Sequence, residues 1–287
     1  MKIAKILILV GGLIISGLFI SLIAEPNFYS QIEPKEKYHY TTIKTWDVPG
    51  VLEEISGIFW LGDQKMATIQ DEDGVIFIYD LKAKKISEEI PFDKGGDYEA
   101  LAIVDDVAYV MRSDGKLIEI SNYMNEDREL KVYDSFFDEE NDMESLTYDK
   151  KHHRLLMIAK DEDPNFKKTK GIYAFDLKSK KFLSKPVVSI DFKDDGFKDY
   201  RHKDAYKTFR PSDMAIDPKS GDYYLLEGVD PKVLILNSQG DFKSIYKLDN
   251  DDFEQPEGIT FDNYGELYIS NEAVNHSANI IQLRLDK

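Results

Sequence analysis

Glu99-Ala100-Leu101 is one of five copies of a short phrase in which a small or acidic residue leads into an apolar strand. The others are Ser56-Gly57-Ile58, Glu144-Ser145-Leu146, Ser212-Asp213-Met214 and Glu257-Gly258-Ile259. Their first residues lie 43, 45, 68 and 45 positions apart. A period near 45 with strand-like content between copies is the signature of β-propeller blades. A propeller gathers equivalent positions of every blade around one axis, so a repeated carboxylate becomes a ring.

Between the copies, short runs of β-branched and aromatic residues alternate with turn chemistry such as Gly62-Asp63 and Asp71-Glu72-Asp73-Gly74. The first four repeats each supply four strands; in the first these are 57–61, 65–70, 75–81 and 85–92. The fifth repeat supplies three, at 258–262, 266–270 and 279–285. Its fourth is available from the other end of the chain, Tyr40–Asp47. The expected fold is therefore all-β, a β-propeller of five four-stranded blades closed by the N-terminal strand, with six blades the alternative. Closure removes the unpaired edges that open sheets must protect. The long interval before Ser212 leaves 191–209 as an inserted loop, too short for a blade.

Residues 1–25 differ in character. Lys2 and Lys5 precede an uncharged run, 6–24, close to the length that spans a bilayer. The expectation is a single-pass anchor in the inner or plasma membrane, with the remainder exported to the periplasm or outside. Secretion after signal cleavage is the alternative. Residues 26–38, with Pro26 and Pro34 and no period, read as a tether, and 39–287 as the propeller domain.

The chain of 287 residues carries a net charge of −17, which repels phosphate backbones and argues against nucleic acid as a partner. With no cysteine, thiolate metal sites, thiol catalysis and disulfides are excluded. Serine-nucleophile, P-loop, dinucleotide and zinc-protease motifs are absent from the sequence.

Strand order in a blade places the residue leading the first strand beside the residue ending the second. The leading column is Ser56, Glu99, Glu144, Ser212 and Glu257; the second is Asp71, Asp114, Asp161, Glu227 and Glu272. Acids fill eight of these ten places, where chance would put about two. Glu54, Asp97 and Asp142 each stand two residues before a leading position. Crowded carboxylates at a channel mouth call for neutralisation, and a hard cation such as Ca²⁺ accepts six to eight oxygens without His or Cys. The candidate metal ligands are Glu99, Glu144, Glu257, Asp71, Asp161, Glu227 and Glu272. The alternative is acids that only bond turn amides or water. Arg112, Lys160 and Arg210 enter the same rim, either as charge balance or as holders of a small anionic ligand or a protein. The histidines, His152 and His153 in a lower hairpin among them, carry no assigned role.

The phrases Glu54-Ile55-Ser56-Gly57-Ile58, Gln70-Asp71-Glu72-Asp73-Gly74, Gly96-Asp97-Tyr98-Glu99-Ala100-Leu101-Ala102 and Pro256-Glu257-Gly258-Ile259 resemble the SdiA-regulated (YjiK-like) propeller family, from roughly Thr41 to Leu285. The resemblance implies an envelope propeller with an N-terminal membrane segment and a link to calcium. More distantly, the chain is similar to phytase-like and gluconolactonase-like propellers. Ser212, where the pattern expects Glu, argues for a site on one side of the channel over a symmetric ring. The leading expectation is a membrane-anchored binding module holding Ca²⁺ at its acidic rim. A Ca²⁺-dependent phosphoesterase or lactonase is the second reading and a ligand-free scaffold the third.

Overall fold

Each repeat folds as one antiparallel sheet in a computed structural model that describes residues 39–286. Blade 1 is β2 (Ile55–Gly62), β3 (Lys65–Gln70), β4 (Val75–Asp80) and β5 (Lys85–Pro91). Blade 2 is β6 (Tyr98–Val104), β7 (Val107–Arg112), β8 (Leu117–Ser121) and β9 (Glu129–Tyr133). Blade 3 follows as β10 (Thr147–Asp149), β11 (Arg154–Ile158), β12 (Thr169–Asp176) and β13 (Lys181–Asp191), and blade 4 as β14 (Pro211–Ile216), β15 (Tyr223–Glu227), β16 (Lys232–Leu236) and β17 (Phe242–Lys247). In blade 5, β18 (Pro256–Phe261), β19 (Leu267–Asn271) and β20 (Asn279–Leu285) are completed by β1 (Tyr40–Asp47), which pairs antiparallel with β20. The blade count is five. The membrane-segment expectation falls outside the described residues; among those described, no helix is long and apolar enough to cross a membrane.

Five hydrophobic clusters hold the ring, one at each blade–blade interface. Trp46 and Ile280 of blade 5, for example, pack against Ile55, Met66 and Tyr79 of blade 1. The Trp46 indole also donates to the Leu81 carbonyl at 2.8 Å, tying the closing strand to the next blade. Recurring mid-blade tyrosines such as Tyr79, Tyr109 and Tyr173 are buried here, where large rings fill the wedge between twisted sheets.

The innermost strands approach closely, which explains the small second residue of each repeated phrase. A Cβ on Gly57 would stand 2.7 Å from the Leu101 amide nitrogen, and one on Gly258 would stand 2.6 Å from the Ser56 carbonyl oxygen. Blade 4 has Asp213 at this position instead. Fully covered, its carboxylate accepts from the Ile259 amide (2.9 Å) and the Leu146 amide (3.4 Å), bridging blades 3, 4 and 5.

The insertion at 191–209 is more than a surface loop. Two short 3-10 turns, Asp195–Phe197 and Ala205–Thr208, fold it back so that Phe192, Phe197 and Phe209 enter the core between blades 3 and 4.

Candidate functional site: the acidic mouth

The first strand of each blade descends from the upper face and the second returns to it, so the leading residues and the second-strand ends meet at one mouth. The like charges that act on Glu99 are Glu144, Asp97 and Glu257; on Glu272 they are Glu257, Asp71 and Glu54. Acids from blades 1, 2, 3 and 5 thus converge, although the chain separates Glu54 from Glu272 by most of its length. Glu144 is buried, and Glu99 and Glu257 are half-buried at the rim.

The electrostatic consequence is a site short of positive charge. Burial, then Glu144 and Asp97, pushes the Glu99 carboxyl up to about 10. Glu272 is raised to about 8 by burial and by Glu257, Asp71 and Glu54. Burial and a hydrogen bond that protonated Asp71 donates to Glu54 raise Asp71 to about 6. Glu144 is also raised, through burial and Glu257, even though the Lys160 ammonium bonds its Oε1. Burial would lower Lys160, yet Glu144, Glu257 and Asp142 outweigh it and hold the ammonium above its ordinary value. One lysine faces many acids, so at neutral pH the group retains protons that belong to the cluster rather than to one residue. Two buried carboxylate oxygens, Glu144 Oε2 and Asp71 Oδ1, have no hydrogen-bond partner.

A second group lies on the blade 3–blade 4 side. Arg210 stands two residues before Ser212, where blades 1 to 3 carry acids, and binds Asp161 through Nε (2.8 Å) and Nη2 (2.6 Å). Glu227 is paired with buried Lys232 at 2.7 Å, which also reaches Asp230 at 3.0 Å. Tyr200 and Phe209, both in the inserted segment, lie about 6 Å from that ammonium. Two acids of the sequence-derived set, Asp161 and Glu227, are thus already matched with cations. Between the two groups a cavity of about 320 Å³ is lined by Lys160, Ser212, Val229, Glu254 and Glu257.

Arg112 stands apart from the other two rim cations. It bonds Asp114 at 3.2 Å, and Lys116 bonds the same carboxylate at 2.7 Å, so the acid of blade 2's second column is consumed within its own turn. Sequence reasoning did not single out Lys170, whose buried ammonium donates to the Ala159 (2.9 Å), Lys160 (2.6 Å) and Asp161 (3.1 Å) carbonyls. It fixes the backbone that carries Lys160 and Asp161. Nor did it single out Gln255, which bonds Glu272. A signal existed for Gln255, because it stands two residues before Glu257 as Asp97 does before Glu99. A lysine at a strand start gave none for Lys170.

The donors fit a hard cation in kind, all carboxylate oxygens with two left unpartnered. As placed, Glu144 and Glu257 flank Lys160 rather than sharing a point with the other acids, and among the described residues no three acids or histidines are close enough together to hold a metal.

These features define a class, a five-bladed propeller with a protonated, carboxylate-rich channel mouth. The SdiA-regulated family model matches residues 32–275, and the chain belongs to that family. No curated protein matches by sequence. Among solved structures, Myxococcus xanthus glutaminyl cyclase is 12% identical with a TM-score of 0.58, over 86% of this chain and 96% of that one. The PQQ-bound aldose sugar dehydrogenase of Streptomyces coelicolor is 10% identical with a TM-score of 0.52, over 86% and 98%. At such identities the likeness is one of fold.

Proposed function

We propose that this protein is an exported, membrane-anchored binding module whose acidic mouth takes a Ca²⁺ ion. The observation that carries the reading is the convergence of Glu99, Glu144, Glu257, Glu272 and Asp71 from four blades, with Lys160 the cation that meets them among the described residues. Carboxylates held protonated by mutual repulsion and burial are the groups a divalent cation would ionise. To hold it, these five would have to draw in from their present positions, and Lys160 would move aside or keep its bond to one of them. Glu227 and Asp161, matched by Lys232 and Arg210, would frame the site. The uncharged run at 6–24 supports the anchor, and with it export.

A hydrolase acting on an anionic substrate is less well supported. Such a site needs cations free to grip the substrate, and Arg112, Lys160 and Arg210 each already bond a carboxylate.

Tyr38–Lys287 forms one compact unit that holds every strand of the ring, so it can be studied without the segment before it. A millimolar site should raise its melting temperature by about 3 °C in 10 mM Ca²⁺. Mg²⁺ at equal ionic strength should do less, and the double change Glu144→Gln, Glu257→Gln should abolish the difference. Calorimetric titration showing no heat, together with equal shifts for both ions, would sink the reading.

A further inference from the structure

A cavity of about 610 Å³ opens on the face opposite the acidic mouth. Its floor is the third residue of each repeated phrase: Ile58, Leu101, Leu146, Met214 and Ile259. These five apolar side chains, one per blade, separate the funnel from the carboxylates above. The wall adds Trp60, half-buried and stacked on Tyr268 at 5.3 Å between centroids, with Thr147 and Thr260.

The lip carries both signs of charge, but its carboxylates have hydrogen-bond partners whereas its two lysines keep their donors free. Asp149 is taken by Arg154 at 2.8 Å and by His152 at 2.7 Å. Asp217 accepts from the Lys219 amide and the Ser220 hydroxyl, and Asp262 from the Tyr264 and Glu266 amides. Lys150 and Lys151, in the turn between β10 and β11, are exposed and form no ion pair among the described residues. Two unpaired ammonium groups above an apolar floor suit a molecule with an apolar body and one anionic head. Water resting on the five floor residues gains no hydrogen bond from them, so an alkyl body can displace it there.

We propose that the lower funnel is a second binding site, for a small amphipathic carboxylate whose alkyl body rests on the five-residue floor and whose head meets Lys150 and Lys151. The proposal is independent of the cation site, since the two share no residue.

Calorimetry on residues 38–287 with decanoate, hexanoate and decyltrimethylammonium, all below micelle formation, tests it, with Trp60 emission as the local reporter. Decanoate should bind one saturable site with a Kd of about 0.1–1 mM and shift Trp60 emission. Hexanoate should bind more weakly, and the cationic amphiphile should give no saturable binding. Lys150→Gln with Lys151→Gln, both exposed and so neutral to folding, should weaken decanoate about tenfold. Thr147→Trp should obstruct the funnel and remove binding while circular dichroism stays unchanged, and Glu144→Gln should leave decanoate affinity as it was. Equal binding of the cationic amphiphile, an unaltered Kd in the double lysine variant, or no saturable decanoate heat would each overturn the proposal.

Discussion

Glu99 concentrates the chemistry of the mouth at the scale of one residue. Its carboxyl, raised to about 10 chiefly by burial and by Glu144, is protonated at neutral pH in the folded ring but ionised in the unfolded chain. The folded state therefore binds more protons between roughly pH 4.5 and pH 10, so this group's contribution to stability declines as pH rises through that window. Glu99→Gln, which supplies a permanently neutral side chain of the same shape, should raise the melting temperature by about 2 °C at pH 8 and leave it unchanged near pH 4. A matched pair of thermal melts decides this, and an equal effect at both pH values would contradict the electrostatic account. Lys170 shows the opposite tension. Burial pushes it down to about 7, yet three carbonyl oxygens surround its nitrogen and only an ammonium has three protons to give them. The geometry favours the charged form.

For the elements, the decisive fact is how tightly the innermost strands β2, β6, β10, β14 and β18 meet. Gly57 has no room for a side chain because backbone atoms of Ala100 and Leu101 stand within 3 Å of where its Cβ would be. Gly57→Val should therefore force β2 and β6 apart and cost about 1–3 kcal/mol, read as a lower urea midpoint with unchanged m. A midpoint equal to that of the native chain would mean the strands are looser than described. The phrase that marks each blade is thus a packing signal in its second residue and a charge signal in its first. β3 and β20 run from end to end as the hydrophobic pattern predicts, whereas β10 is only three residues long and begins at Thr147. Ser145, which precedes β10, instead exchanges hydrogen bonds with Ile158 through its hydroxyl.

On the scale of the whole molecule, the ring divides the chain's charge unevenly. The connections that form the upper face carry most of the acids, including Glu54, Asp71, Asp97, Asp142, Glu254 and Glu272, while Lys150, Lys151 and Lys219 lie in turns of the lower face. Both described ends of the propeller are on that lower face, where the Asp286 amide donates to the His39 carbonyl at 2.8 Å. Self-repulsion of the upper face opposes compaction, and salt screens it over a Debye length of about 8–10 Å. Raising NaCl from about 10 to 150 mM at pH 8 should accordingly increase the melting temperature by about 2–5 °C. A decrease would show that ion pairs such as Arg210–Asp161 outweigh the crowding of like charges.

The sequence alone made five blades the expectation, with six still open, and determined the closing strand and the columns of carboxylates, because each follows from local periodicity repeated along the chain. It could not say which acids have a cation of their own. Arg112 and Arg210 look equivalent in one dimension; only the register of neighbouring loops turns the first to Asp114 and the second to Asp161 across 49 positions. The same holds for the inserted segment, whose phenylalanines become core through a fold-back no period announces, and for the lower funnel. That cavity exists because five strands distant in the chain present one apolar side chain each to a common axis, a coincidence of position that tertiary packing alone creates.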